Sequence, residues 1–415
     1  MFVKSTNAGI TACKRKVAMS TIVYVGLDVH KEKIQACSFI PGYGIKPDLV
    51  FANDTLSGDY QVAGKYLAGL RRHFGKDARF VCGYEAGCLG FSLCRELSGK
   101  FGVECHVMAP STMSQEPGSR IKTDRRDAEK IAKCLSSNAY KEVRMLDRED
   151  ESVRDYIRMR DDFKQVQKEL KQKILAMLLR RGVRCDTCKV PWTKKFMAWL
   201  GSADMGGALA REAMDEYVSG LERVNEKLEK LDRRILELSG APRYRDNVRK
   251  LVCLPGIKEH TALALCCEVG DFSRFKSPKD LAAFLGLVPG ERSSGDKTRR
   301  TGLTKAGNSH LRRLLTEAAQ GALRSKPSYK SKALKARQAG APEAVVAYAD
   351  RARARFTGKY RRMASGERLG PGLDFLEARK PCNVVVGAVA RELACFACGM
   401  VNGLYDGAES ASFKD

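Results

Sequence analysis

The sequence predicts an α/β domain followed by a largely helical region, and three observations lead there. Residues 21–136 begin with three strand patterns in a row and then alternate strand and helix, the order of a mixed sheet with covering helices. Residues 149–240 are rich in charge, with apolar residues at helical spacing. After Pro242 the chain reads as short helices, two of them joined by a tight Pro-Gly turn.

The elements follow in order. "TIVYVGLDV" (21–29) is β-branched and apolar, "KIQACSFI" (33–40) follows a short polar turn, and "LVFAND" (49–54) is a third strand. Helical periodicity occupies residues 57–73, strand character returns at "ARFVCGYE" (78–85), and "CLGFSLCREL" (88–97) is helical. "VECHVM" (103–108) is a strand and residues 123–136 form a helix. Residues 149–182 carry Val153, Ile157, Phe163, Val166, Leu170 and Ile174 at helical intervals, and a stretch with breakers follows (Pro191, Gly201, Gly206, Gly207). In "LERVNEKLEKLDRRILEL" (221–238) Leu221, Val224, Leu228, Leu231, Ile235 and Leu238 fall in an a/d heptad register. That register suits an antiparallel hairpin with the 149–182 helix as well as an intermolecular coiled coil. "LVCLPGIKEHTALALCCEVGDF" (251–272) reads as helix, turn, helix, an arrangement whose exposed amides can hold a phosphate. A capped helix at 277–287, a basic Gly-rich loop at 289–308, a helix at 309–323, a basic helix pair at 342–362 and an apolar helix near 383–403 complete the chain. The expected divisions are an unstructured extension (1–20), the α/β domain (21–148), a helical linker and oligomerisation region (149–240), a C-terminal domain (241–408) and a tail (409–415).

The 415 residues carry 74 Lys and Arg against 49 Asp and Glu, a formal charge of +25. An excess of that size implies a polyanionic partner, and nucleic acid fits through counterion release. No basic amphipathic helix or lipidation signal points to a membrane. The apolar run "VVVGAVA" (384–390) is too short to span one. Fifteen scattered cysteines and the lack of a signal peptide point to a reduced, cytoplasmic protein. The two CxxC pairs, Cys185/Cys188 and Cys395/Cys398, lie too far apart for a shared zinc site.

Four acids attract attention. Asp28 ends the first strand pattern, Glu85 ends the fourth, and Asp124 and Asp127 share one face of the helix in "IKTDRRDAEKIA" (121–132). Singly, each has a structural reading: a turn cap, a helix cap, a solvated charged face. Together they would converge on one sheet edge, where four carboxylates repel unless cations lie between them. Two Mg²⁺ ions held by such oxygens clamp the attacking and leaving oxygens of a phosphodiester.

A second stretch, "GLVPGERSSGDKTRRTGLTKAGNSHLRRLL" (286–315), places Ser293 and Ser294 among Arg292, Lys297, Arg299, Arg300, Lys305, Arg312 and Arg313. Composition alone favours a loop that binds phosphates through hydrogen bonds. The alternative is a nucleophilic serine whose neighbouring cations stabilise a phosphoryl transition state.

"GLDVHK", "YEAG", "KTDRRDA", "LPGIKEHTA", "SPKDLAAFLGLVP" and "SSGDKTRRTGLTKAGNSHLRRLL", in this order, resemble the DEDD-type insertion-sequence transposases, the bridge-RNA-guided recombinases. The resemblance runs from about residue 21 to 404. It implies an RNase H-like (Holliday-junction-resolvase-like) domain whose metal ligands are Asp28, Glu85, Asp124 and Asp127, with Arg125 and Arg126 facing nucleic acid. It also implies a C-terminal transposase domain with Ser294 as nucleophile and Ser293 as the fallback. Mg²⁺, donor and target DNA, a structured guide RNA and a homo-oligomer (dimer to tetramer) follow from the same resemblance, as does a composite site shared between protomers. The extension before Met19 and the segment 366–383 depart from the family pattern. Two other readings remain open: a metal-dependent junction-resolving nuclease without a covalent serine step, and a nucleic-acid-binding protein with a dead acidic site.

Overall fold

The computed structural model describes residues 21–42, 49–75, 77–87, 89–113, 123–291, 300–323, 329–365 and 381–405. The chain divides into two compact units, Met1–Leu146 and Asp147–Asp415.

The first unit contains β1 (Ile22–Val29), β2 (Lys33–Ile40), β3 (Leu49–Ser57), α1 (Tyr60–Phe74), β4 (Arg79–Glu85), α2 (Ser92–Phe101), β5 (Glu104–Met108) and α3 (Asp124–Ser136). Its sheet has the order β3-β2-β1-β4-β5. The hairpin-connected strands β1, β2 and β3 are antiparallel neighbours, and β4 and β5 add in parallel to β1. This is the RNase H-like arrangement that the resemblance implies. Strand alternation sorts the side chains. Val23, Val25, Leu27, Phe80, Cys82 and Tyr84 form one core with Leu67 and Leu70 of α1 and Leu93 and Leu97 of α2.

The opposite face takes α3. Gly26 of β1 and Gly83 of β4 are register partners. A Cβ on Gly26 would lie 2.1 Å from the Ala128 carbonyl oxygen and 2.5 Å from the Ala132 nitrogen. A Cβ on Gly83 would lie 2.8 Å from Leu135 Cδ2. The backbone of α3 therefore rests on bare strand backbone, with Ala128 and Ala132 buried beneath it. The helix expected at 88–97 starts later, at Ser92, because Gly90 turns at φ 62° and its carbonyl accepts a hydrogen bond from Tyr84 Oη at 2.9 Å.

The second unit begins with α4 (Arg148–Arg180), α5 (Lys194–Ser202) and α6 (Ala208–Ser239). Arg160 Nε donates to Asp232 Oδ1 at 2.7 Å and Gln167 Nε2 to Asn225 Oδ1 at 2.6 Å. As the first partner's number rises the second's falls, so α4 and α6 run antiparallel within one chain. Leu221, Leu228, Leu231 and Ile235 of the heptad stripe are buried. At the hairpin tip, Ile174, Met177, Phe196, Leu200 and Met214 form a small core of their own. The breaker-containing stretch holds α5, started by Thr193, whose hydroxyl accepts from the Phe196 amide. Cys185 and Cys188 are joined as a disulfide, an exception to the expected reduced thiols.

The rest comprises α7 (Arg245–Leu251), α8 (Glu259–Val269), α9 (Pro278–Phe284), β6 (Pro289–Glu291), β7 (Arg300–Leu303), α10 (Ser309–Leu323), α11 (Lys332–Gln338), α12 (Glu343–Ser365) and α13 (Cys382–Val401). The basic loop contains a two-stranded ladder, β6 against β7. The helix pair expected at 342–362 is the single helix α12. Gly358, the one glycine in that span, is tolerated inside a helix at about 1 kcal/mol. By length and composition α13 could cross a membrane, yet Val385, Val389, Leu393, Phe396 and Met400 sit in the unit's main core beside Leu263, Leu281 and Leu315.

Two glycine replacements test the close packing of α3. Gly26→Ala is expected to destabilise the first unit by about 3 kcal/mol, the upper range for overpacking, because both colliding atoms are backbone. Gly69→Ala on α1, where a Cβ meets nothing within 4 Å, is expected to stabilise it by about 0.5–1 kcal/mol. Thermal unfolding of the full-length variants followed by circular dichroism distinguishes the two signs.

Candidate active site

The acidic site is assembled by the same glycines. Asp28 and Glu85 lie two residues beyond Gly26 and Gly83, so alternation puts both on the α3 side at the carboxyl ends of adjacent parallel strands. Thr123 caps α3, its hydroxyl accepting from the Arg126 amide at 3.4 Å. That cap fixes Asp124 and Asp127 in the first turn, where the helix dipole favours negative charge.

The side chains then meet. One donor atom each from Asp28, His30 and Asp124 lies within 4.8 Å of the others. His30 Nε2 is 3.2 Å from Asp28 Oδ2 and 3.8 Å from Asp124 Oδ1. The Lys33 ammonium pairs with the other oxygen of Asp124 and holds that carboxyl below its ordinary range. Burial raises the Asp28 carboxyl, His30 opposes the rise by charge and hydrogen bond, and the charges of Asp127 and Asp124 add to it. Glu85 stands at the end of the neighbouring strand, 3.9 Å from Lys130 Nζ of α3. Of the four predicted ligands, Asp28 and Asp124 are thus brought within reach of one ion, with Asp127 close enough to act on Asp28 by charge. Hard oxygen donors with one imidazole, crowded enough to repel, suit a divalent cation.

Ser293, Ser294, Arg292, Lys297 and Arg299 lie outside the described residues, and Arg300 is the first residue of β7. The base of this loop is tightly tied. The Thr304 amide donates to the Val288 carbonyl at 2.9 Å and the Lys305 amide to Gly286 at 3.2 Å. Arg312 Nη1 donates to Leu285 O at 2.8 Å and to Ala306 O at 3.0 Å, so one guanidinium ties together the chain before and after the loop. Arg125 donates to the Asn53 carbonyl at 3.0 Å, and Arg313 pairs with Asp161 at 2.6 Å. Arg312, Arg313 and Arg125, predicted to face nucleic acid, are each engaged within the chain.

Sequence reasoning missed a buried ionic network beside the loop. His310, at the start of α10, places Nδ1 2.6 Å from Glu268 Oε1 and Nε2 2.8 Å from Asp161 Oδ2. Both ring nitrogens face carboxylates, so both must donate and the ring is an imidazolium. Glu268 also accepts from Arg158 at 2.8 Å and Asn308 at 2.6 Å, and His260 Nε2 lies 3.0 Å from Asp161. Burial alone would raise both carboxyls. Close contact with His260 and hydrogen bonds from His310 and Arg313 instead hold Asp161 far below its usual range, and hydrogen bonds from His310 and Arg158 hold Glu268 at about 2. Burial would likewise lower His310, but bonds to Asp161 and Glu268 carry it above its ordinary value. "GNSH" (307–310) was the available signal, but its partners on α4 and α8 lie too far off in sequence to be found.

Two family models match: one described as "Transposase IS116/IS110/IS902 family" over residues 248–334, the other, the DEDD type of IS110, described as "Transposase" over residues 25–181. The chain is 32% identical to y4qE of Sinorhizobium fredii, which carries a transposase name, over 92% of this chain and 89% of that one. It is 31% identical to the transposase for insertion sequence element IS1533 of Leptospira borgpetersenii, over 83% and 97%. The transposase for IS1111A of Coxiella burnetii is 26% identical over 81% and 89%.

The network makes the second unit's stability pH-dependent. A raised His310 contributes fully below its ordinary 6.5 and loses that contribution as pH climbs through its folded value. The depressed Asp161 and Glu268 contribute fully above their ordinary 3.8 and 4.5 and lose it as pH falls, for Glu268 toward about 2. Stability from this network is therefore expected to peak between about pH 4.5 and 6.5. His310→Gln should cost about 3–5 kcal/mol there and flatten the alkaline limb. Melting curves of both proteins across pH check this, and parallel alkaline slopes would refute it.

Proposed function

The chain belongs to the IS116/IS110/IS902 family of transposases, and on that premise we propose that it cuts and rejoins DNA through Ser294, assisted by Mg²⁺ at Asp28, Glu85, Asp124 and Asp127. A DNA transposase must break phosphodiesters and re-form them. The observation that carries the reading is the convergence of Asp28 and Asp124 at one end of an RNase H-like sheet, with Glu85 on the next strand and Asp127 one helical turn along.

When bound, a divalent cation there supplies positive charge against the phosphoryl oxygens and the leaving sugar oxygen. The chain's own groups do the rest. Asp28 and Asp124 would hold the cation, and Lys130 lies beside Glu85 as its counter-charge. In the transfer itself, Ser294 Oγ forms a bond to phosphorus while the bond from phosphorus to one deoxyribose oxygen breaks. The serine proton is lost and the released sugar hydroxyl gains one. Attack by a sugar hydroxyl on the phosphoserine reverses these changes and rejoins the strand, so no high-energy cofactor is consumed. The loop's anchoring, through Arg312 and the β6–β7 ladder, supports a nucleophile presented from a fixed base. The +25 charge supports large nucleic-acid partners, including a structured guide RNA transcribed from the element; assembly of dimers into a tetramer in the cytoplasm rests on the family likeness alone, because the heptad stripe of α6 is buried within its own chain.

The test mixes full-length protein, Mg²⁺, element-end DNA and RNA transcribed from the flanking noncoding DNA, followed by a denaturing gel. A covalent protein–DNA adduct is expected, lost in Ser294→Ala, kept in Ser293→Ala, and lost in Asp28→Asn and without RNA. Cleavage with no adduct, insensitive to both serine changes, would replace this reading by a metal-dependent nuclease.

A further inference from the structure

We propose that His30 is a direct ligand of the acidic site, so that the centre is a mixed nitrogen and oxygen site that discriminates between divalent metals. The inference rests on the acidic site proposed above and extends it to a residue outside the four acids.

His30 lies in the tight turn between β1 and β2, where its amide donates to the Lys33 carbonyl at 2.9 Å. The turn holds the residue two places beyond Asp28, on the α3 side of the sheet. Its side chain is about half exposed, at 48%, so it fills no core, and its ring faces the carboxylates of Asp28 and Asp124. Donors bound to one ion at about 2.1 Å stand about 3.0 Å apart at right angles and about 3.4 Å apart at tetrahedral angles. The observed 3.2 Å from Nε2 to Asp28 falls within that spacing, and the 3.8 Å to Asp124 lies a few tenths of an ångström beyond it, a gap that a bound ion would close. Asp124 turns Oδ1 toward His30 while Lys33 holds its Oδ2, which leaves one oxygen directed at the shared point. An imidazole nitrogen adds little for Mg²⁺, which prefers oxygen and water, but strengthens binding along the series Mn²⁺, Fe²⁺, Co²⁺.

Full-length protein is loaded with Mn²⁺ and its electron spin echo modulation recorded. Modulation from a directly coordinated ¹⁴N is expected, absent in His30→Ala. Calorimetric titrations with Co²⁺ and Mg²⁺ should show the preference for Co²⁺ falling at least about tenfold in that variant, since loss of a group that only supports a ligand already costs about that much. His30→Asp should restore tight binding without the nitrogen signal and shift preference toward Mg²⁺. If Asp28→Asn abolishes Mn²⁺ binding while the spectrum is the same with and without His30, the acidic site stands and the ligand assignment falls. If Asp28→Asn leaves Mn²⁺ binding unchanged, the metal is held elsewhere and both fall.

Discussion

The closeness of α3 to the sheet is the constraint from which the first unit follows. Most helices rest on a sheet through side chains, at a distance set by their bulk. Here two paired glycines remove the bulk on the strand side and alanines reduce it on the helix side. The helix sinks until backbone meets backbone, and its first turn is delivered to the ends of β1 and β4. The acids project toward one another because of that approach. Burial raises the Asp28 carboxyl's affinity for protons, and the charges of Asp127 and Asp124 add to the rise. The fold thus holds a locally unfavourable arrangement of charge in place through packing elsewhere.

The second unit solves a different problem by different means. It must hold the base of a basic loop still, and it uses ions instead of close backbone contact. Asp161 and Glu268 are nearly excluded from solvent, their side chains 7% and 2% exposed, and each is matched by several donors from α4, α8 and α10. Removing carboxylates from water is costly, and the donors around them offset the cost only if every one is in place. Such a network has a single good geometry, which apolar packing of the same volume does not ensure. The helix that leaves the loop starts inside it.

Much of this was legible in the sequence, unevenly. The strands and the helix carrying Asp124 and Asp127 announce themselves through alternation and a Thr cap, both local signals. The four acids could be proposed because each ends or starts an element. The glycines that bring them together carry a signal as well, since "GLD" and "GYE" share one spacing, but its meaning depends on strand pairing that only the fold reveals. His30 was hidden by its setting in a turn. Asp161, Glu268 and His310 were illegible for another reason: their partners are as much as 152 residues away, and nothing local marks a carboxylate as buried. The charge run around the serines overstated its freedom, because Arg312 and Arg313 have carbonyl and carboxylate partners inside the chain.

The apolar helix α13 bears on the order of synthesis. The first unit is complete by residue 146 and holds its own core, so it can fold while the ribosome is still translating. The second cannot close until α13, its last described helix, has emerged to fill the space among α9, α10 and α12. Through that interval the nascent chain offers a folded first unit and an open apolar groove. A message cut short before residue 382 yields a chain whose second unit lacks α13, which chaperones and proteases will recognise as unfinished.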